Sequence, residues 1–333
     1  MTGQKAKKII KSKEMVLCLI SVVIIIVFRL INPYYLSAGS LNGIMQSMSI
    51  TGIIAVGLGT LFIGGSIDLS AGQVCLFAGV ICAKIINFDV PWGIAIVLTL
   101  IVCAFIGLLN AIMISRFGMM PFIATIAMSS ILSGVILMLT YAQNVPVAIK
   151  SFWWGGKSLF GVFPYPFLIM TLLMLLYGLF LNFTQFGRNI YLVGGNQSAA
   201  RLAGVNPVKI RTMLYINSSV LAGISGIVLL SRMQSAAPQS QSDSQMNAIT
   251  AAVLGGIAFT GGSGGMAGCF VGVLLLSLFN SGLNALALDA YWSLIASGTL
   301  LVIALSVDYF NERSRAKALK AKPEATLPAG GRK

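Results

Sequence analysis

Ten predominantly apolar runs, near 15–31, 43–63, 69–86, 92–115, 121–141, 165–182, 213–233, 247–259, 266–284 and 291–308, occupy most of the chain. Runs of about 17 residues or more have few homes outside a bilayer, and in lipid each must satisfy its own backbone N–H and C=O groups, which calls for helix. The fold class that follows is an all-α polytopic membrane protein of about ten transmembrane helices. Composition agrees, with 57% of the 333 residues hydrophobic and 9% charged. The run starting at Met15 is long enough to span and lacks a small-residue cleavage site, so it reads as a retained helix. Residues 247–259 are too few to cross. That run either borrows from Ser240 to Met246 or is a broken helix shielded by protein.

The net charge of +14 is informative through its distribution. Lys5, Lys7, Lys8, Lys11 and Lys13 precede the first run, and Arg313, Arg315, Lys317, Lys320, Lys322, Arg332 and Lys333 follow the last. Cations flanking spans favour the cytoplasm, so both termini are expected there, and an even number of spans requires the same. The domain plan is a basic N-terminus at 1–14, a transmembrane domain at 15–308 with a cytoplasmic loop at 183–212, and a basic tail at 309–333. Arg29, Lys84, Lys150, Lys157 and Arg232 fall at outer span ends, from which they snorkel to headgroups. Segment 143–164, with Trp153 and Trp154, suits an interfacial anchor or a docking surface. Such cations point to the lipid bilayer as partner, and nothing interleaves them with aromatics as nucleic-acid binding would require. Histidine is absent and the five cysteines lack ligand spacing, which argues against metal or thiol chemistry.

The central loop interrupts this pattern. From Phe186 to Arg211 it carries Arg188, Arg201, Lys209 and Arg211 and no carboxylate. Within it, Asn196 is a natural helix N-cap, Gly204 a natural stop, and Ala199, Leu202 and Ala203 share one face. A helix of about two turns is too short to span. It reads as a surface element offering small residues to another protein, or as a solvated loop helix.

Two glycine-rich turns share G-G-S followed by A-G, a weak sign of internal duplication. The first holds Gly64, Gly65, Asp68, Ser70 and Gly72, with Asp68 expected to cap the helix after it. The second holds Gly255, Gly256, Gly261 and Gly262. Neither matches G-x-x-x-x-G-K-[ST], so the chain has no phosphate loop or ATPase of its own. Polar residues at helical spacing, Asn42, Gln46 and Ser49, Ser129 and Ser133, Asn280 and Asn284, suit either a solute pathway or helix-to-helix hydrogen bonding. Proton relays of carboxylate or histidine are missing from the spans, which disfavours a proton-driven carrier.

From about Tyr35 to Asp308 the chain resembles the ribose-type permease subunits of bacterial ABC importers. The family's G-I-D-L-S-V-G turn is matched by Ser66, Ile67, Asp68, Leu69, Ser70, Ala71 and Gly72. Its central-loop motif is matched by Gly194, Gly195, Asn196, Ala199, Ala200, Arg201, Leu202, Gly204 and Val205, and its third block resembles Ala251 to Gly265. Departures are Ser66 for glycine, Gln197 for glutamate, and Met246 before the eighth run. The resemblance implies a permease importing a monosaccharide or similar polyhydroxylated solute across the bacterial inner membrane. It implies a cytoplasmic ATP-binding subunit that holds ATP and Mg, a second permease subunit forming a homo- or heterodimer, and an extracytoplasmic solute-binding protein. No cofactor is expected on this chain, and the motif residues of the central loop are expected to couple to the ATPase. The alternatives are an ATP-independent secondary carrier, a permease for a nucleoside or amino acid, or a membrane scaffold.

Overall fold

The computed structural model describes residues 13–238 and 244–286, and beyond them residues 291, 292, 295, 298–300, 302 and 306. The basic termini and most of the tenth run lie outside the described residues. Each of the other nine runs becomes a helix. In chain order these are α1 (Lys13–Ile31), α2 (Ala38–Ile63), α3 (Ala71–Asn87), α4 (Trp92–Ser115), α5 (Pro121–Thr140), α6 (Tyr165–Phe183), α9 (Pro207–Met233), α10 (Ser244–Leu254) and α11 (Met266–Ala285). The central loop contributes α7 (Gln185–Gly195) and α8 (Gln197–Leu202). Among the described residues, α2, α4, α5, α6, α9 and α11 are long and apolar enough to cross a membrane, while α3 and the apolar part of α1 are shorter.

Local chemistry sets the helix starts. Ser37 caps α2 by accepting from the Ser40 amide, and Asn206 caps α9 by accepting from the amides of Val208 and Lys209 ahead of Pro207. Both helices therefore begin earlier than their apolar runs, because polar residues at a helix entrance are read as loop by hydropathy alone. The eighth run is corrected in the same way. It starts at Ser244 and stops at Leu254, an 11-residue helix of roughly 16 Å, about half a bilayer. Most of its side chains are buried by protein, and this shielding is what a helix ending at membrane depth needs.

Two helices form the centre. α2 is buried from Met48 to Ile63, and α9 packs against α2, α3 and α4. Glycine brings α9 close on two sides, since a Cβ at Gly107 of α4 would sit 2.7 Å from the Ile216 Cα and one at Gly226 would strike the Cys75 carbonyl of α3. α10 and α11 pack on each other and on α2, with α1 outside α11. α4, α5 and α6 carry many exposed apolar side chains, among them Ile101, Phe105, Ile131, Leu175 and Leu179, as lipid-facing helices do.

At the end of the bundle away from the central loop, Val145–Pro146 (β1) pairs antiparallel with Ser235–Ala236 (β4). A 3-10 turn at Lys150–Gly156 follows β1, and Ser158–Leu159 (β2) pairs with Phe163–Pro164 (β3) in a small hairpin. Phe152 is fully buried beside Trp92, and Trp153 donates from Nε1 to the Val147 carbonyl at 2.9 Å. Both tryptophans of this segment, Trp153 and Trp154, are half-buried, while Tyr141 and Phe160 are the most exposed of its aromatics.

Candidate functional site at a junction of three glycine pairs

The central loop is more ordered than its polarity suggests. α7 is a helix that the apolar pattern of the sequence does not announce. Its signal was Thr184, whose hydroxyl accepts from the Gly187 amide at 3.0 Å, followed by Gly187, Ile190 and Val193, which recur every third residue and are buried. α8 matches its sequence signals: the Asn196 side chain accepts from the Ala199 amide at 3.0 Å, and Gly204 closes the helix at φ +79°.

The six residues of α8 separate into two faces. Ala199, Leu202 and Ala203 are exposed, as expected, and Leu202 is 91% exposed. Arg201, Asn196 and Gly204 are exposed as well, and Val205 is half-buried. Ala200 is different. It is 0% exposed, so its methyl packs inward and does not belong to the surface that the loop offers.

Where α7 passes into α8, three glycine pairs from distant parts of the sequence meet. Gly64 and Gly65 follow α2, Gly194 and Gly195 end α7, and Gly261 and Gly262 lie in the turn before α11. The Gly262 amide donates to the Ile63 carbonyl at 2.8 Å. A Cβ on Gly194 would collide with that same carbonyl. On Gly261 it would lie 2.8 Å from both the Gly65 Cα and the Gly194 oxygen, and on Gly262 2.7 Å from the Gly195 Cα. The two G-G-S turns therefore touch each other and the central loop, backbone against backbone. Gly65, Gly261 and Gly262 have φ of +70°, +95° and +73°, which L side chains rarely adopt. Tyr191 of α7 adds a side-chain tie by donating to the Gly264 carbonyl at 2.8 Å. Gly255 and Gly256 stand apart, because Gly255 packs on Gly268 at the start of α11.

A polar cluster lies under the first turn. Asp68 is fully buried and does not cap α3, correcting the sequence expectation, since Ser70 occupies the cap position. Its Oδ1 accepts from the Ser70 amide at 2.8 Å and the Ser70 hydroxyl at 2.6 Å, while Oδ2 accepts from Ser218 of α9 at 3.0 Å. Three donors offset the cost of burying a carboxylate. Asn110 of α4 donates to the Ser70 hydroxyl at 2.9 Å, so α4, α9 and the turn share this one group. Tyr215 gives its hydrogen to the Ile67 carbonyl at 2.9 Å, which makes Ser66 the donor in the 2.7 Å contact between the two hydroxyls. Ser66, a departure from the glycine of the motif, thus has a specific partner. Gly72 donates from its amide to the Gln245 side chain of α10 at 3.1 Å, tying the same turn region to the broken helix.

The polar residues suggested as a pathway do not form a single lining. Gln46 donates to Asn42, which donates to Ser158 of the hairpin at 3.0 Å. Ser49 is buried and bonded to the Met45 carbonyl of its own helix. Ser129 and Ser133 belong to α5, which packs against α3 and α4, whereas Asn280 and Asn284 belong to α11, which packs against α2. Among the described residues no group of three or more His, Cys, Asp or Glu side chains is arranged to hold a metal ion.

Residues 40–305 match the family model described as branched-chain amino acid transport system / permease component. The chain is similar to the ribose import permease protein RbsC of Escherichia coli, 32% identical over 86% of this chain and 90% of that protein. It is similar to the ribose import permease protein RbsC of Bacillus subtilis, 31% identical over 86% of this chain and 89% of the relative. A third relative, the L-arabinose transport system permease protein AraH of Escherichia coli, is 28% identical over 85% of this chain and 86% of its own length. No solved structure matched the chain.

Proposed function

Because this chain belongs to the ABC-transporter permease family described as branched-chain amino acid transport system / permease component, a family of membrane subunits and not of enzymes, we propose that it carries a monosaccharide into a bacterial cytoplasm for a separate ATPase. The family description speaks of branched-chain amino acids, but the relatives that align over most of their length are named for ribose and arabinose, and this favours a sugar. The chain lies in the cytoplasmic membrane with both termini and the central loop inside. A second permease subunit completes the translocation unit, a solute-binding protein delivers from outside, and ATP and Mg bind the partner ATPase alone.

The observation that carries this reading is the glycine junction. α8 presents Leu202, Ala199 and Ala203 outward, and within a few residues its chain lies between the turns that follow α2 and precede α11. A push on α8 therefore reaches the transmembrane helices through backbone contacts, without long side chains to absorb it. The basic loop without carboxylates favours an acidic groove on the ATPase. ATP-driven closure of two such grooves would rock the junctions of both permease subunits and switch access from outside to inside.

The test is affinity purification of the tagged chain in mild detergent with its co-expressed ATPase, comparing wild type with Leu202→Asp. Wild type should bring the ATPase with it and the variant should not. A chain that purifies alone and still moves D-ribose into vesicles without ATP would replace this reading with a secondary carrier.

A further inference from the structure

A cavity of about 730 Å³ opens between α2, α6, α7 and α9, close to the glycine junction. Its walls are aromatic and aliphatic, including Phe180, Phe186 and Leu214, and into them is set a polar chain of Tyr177, Asn217 and Thr60. Tyr177 donates to the Asn217 side-chain oxygen, Asn217 donates to the Thr60 hydroxyl at 3.3 Å, and Thr60 donates to the Gly57 carbonyl at 2.8 Å. The chain leaves capacity unused: one amide hydrogen of Asn217 and a lone pair of Tyr177. No charged side chain lines the cavity.

We infer that this cavity is a solute subsite on the cytoplasmic half of the pathway, built for a neutral polyhydroxylated molecule the size of a monosaccharide. The inference rests on the importer reading and deepens it. A sugar ring presents hydroxyls at its rim and C–H groups on its faces, and the cavity supplies a directed amide and phenol beside aromatic faces, with Phe180 5.7 Å from Phe186 and 6.2 Å from Tyr177. An amino acid zwitterion would leave two charges without partners there.

The position on α2 supports the assignment. Thr60 is 18 residues beyond Asn42, five full helical turns, and so falls on the same face as Asn42 and Gln46 at the outer end. Between the two polar ends, Met170 and Met174 of α6 fill the space over Gly52, where a Cβ would strike the Met170 sulfur. Phe186 and Ile190 make one wall of that cavity from α7, the helix whose end is Gly194, so a shift at the junction moves the wall.

The experiment uses the whole importer, permease with its ATPase and solute-binding protein, in liposomes with radiolabelled D-ribose and L-arabinose. Tyr177→Phe and Asn217→Leu should each lower uptake about 10-fold, the scale of one directed hydrogen bond, in complexes recovered at wild-type amounts. Separately, Met213→Cys, at a position 43% exposed beside the cavity, is labelled with maleimide in a Cys18→Ser background, the other described cysteines being buried. D-ribose or L-arabinose should slow that labelling. Uptake at the wild-type rate in both variants, or labelling indifferent to both sugars, would overturn the subsite. A bound phospholipid that shields the cysteine while sugar does not would make the cavity a lipid site and overturn it equally. If the wild-type importer moves neither sugar, the importer reading fails first, whatever the variants do.

Discussion

The two ends of the bundle are held together by opposite means. At the end away from the central loop, side chains lock the structure: Ser231 of α9 donates to the Phe152 carbonyl and accepts from the Gly155 amide at 2.8 Å, Trp153 bonds its own loop, and β1 pairs with β4. The junction beside the central loop is mostly bare backbone, with one side-chain tie at Tyr191 and one hydrogen bond between the Gly262 amide and the Ile63 carbonyl. Interlocked side chains resist sliding because each bond is directional and each buried ring fills one pocket. Glycine surfaces in contact have few such constraints and permit small shifts of one segment over another. The comparison implies that the end away from the central loop is a clamp and the glycine junction a joint.

The most damaging way to break the joint is to give it a side chain. Gly194→Val would drive a branched Cβ into the Ile63 carbonyl and toward the Gly262 amide, so α7 cannot keep its seat. ATP-driven uptake should fall by roughly 100-fold or more, since a misplacement near 1 Å away from the chemistry is enough for that. Vesicle uptake together with limited proteolysis of the 183–212 loop checks it. Normal uptake would mean that the junction is passive packing.

Asp68 sharpens the comparison, because it is the side-chain bolt lying directly beneath the joint. Asp68→Leu leaves the Ser70 amide and two hydroxyls without their acceptor, and thermal unfolding in detergent should show a loss of about 3 kcal/mol or more. Asp68→Asn should also cost about 1–3 kcal/mol, since one of its two heteroatoms becomes a donor facing donors. A silent Asn variant would show that the carboxylate is replaceable by any acceptor. Next in size is Leu202→Asp, which desolvates a charge in the partner groove and should weaken ATPase association about 10-fold with the fold intact, because Leu202 is exposed.

How much of this was legible in the sequence follows from the same contrast. Long apolar runs and local caps announce themselves, so nine helices and the Asn196 to Gly204 element were readable. The meeting of Gly65, Gly194 and Gly261 was not, because glycine has no side chain to form a pattern and contacts between distant glycines leave no periodic trace. Similar reasoning explains Asp68, where proximity to the next helix suggested a cap while the acceptor was in fact shared with Ser218, 150 residues away. Tyr177, Asn217 and Thr60 lie on three helices, and hydrogen bonds that join residues 40 and 157 positions apart leave no periodic pattern in a sequence. Motif membership says nothing about which face a residue takes, and Ala200 is buried although it belongs to the same motif as the exposed Ala199 and Leu202.

The smallest effect on transport belongs to the clamp. Ser231→Ala removes the hydroxyl that bridges the Phe152 carbonyl and the Gly155 amide, leaving that buried amide unpaired, and should cost about 1–3 kcal/mol in thermal unfolding. Uptake by the protein that remains folded should change less than twofold, because the substitution shrinks a side chain far from the joint and creates no clash. The pairing of outcomes carries the argument: a variant that loses stability and keeps transport marks a clamp, and one that keeps stability and loses transport marks a joint. If Ser231→Ala instead lowered uptake as strongly as Gly194→Val, both ends would be moving parts and the division of labour between them would be wrong.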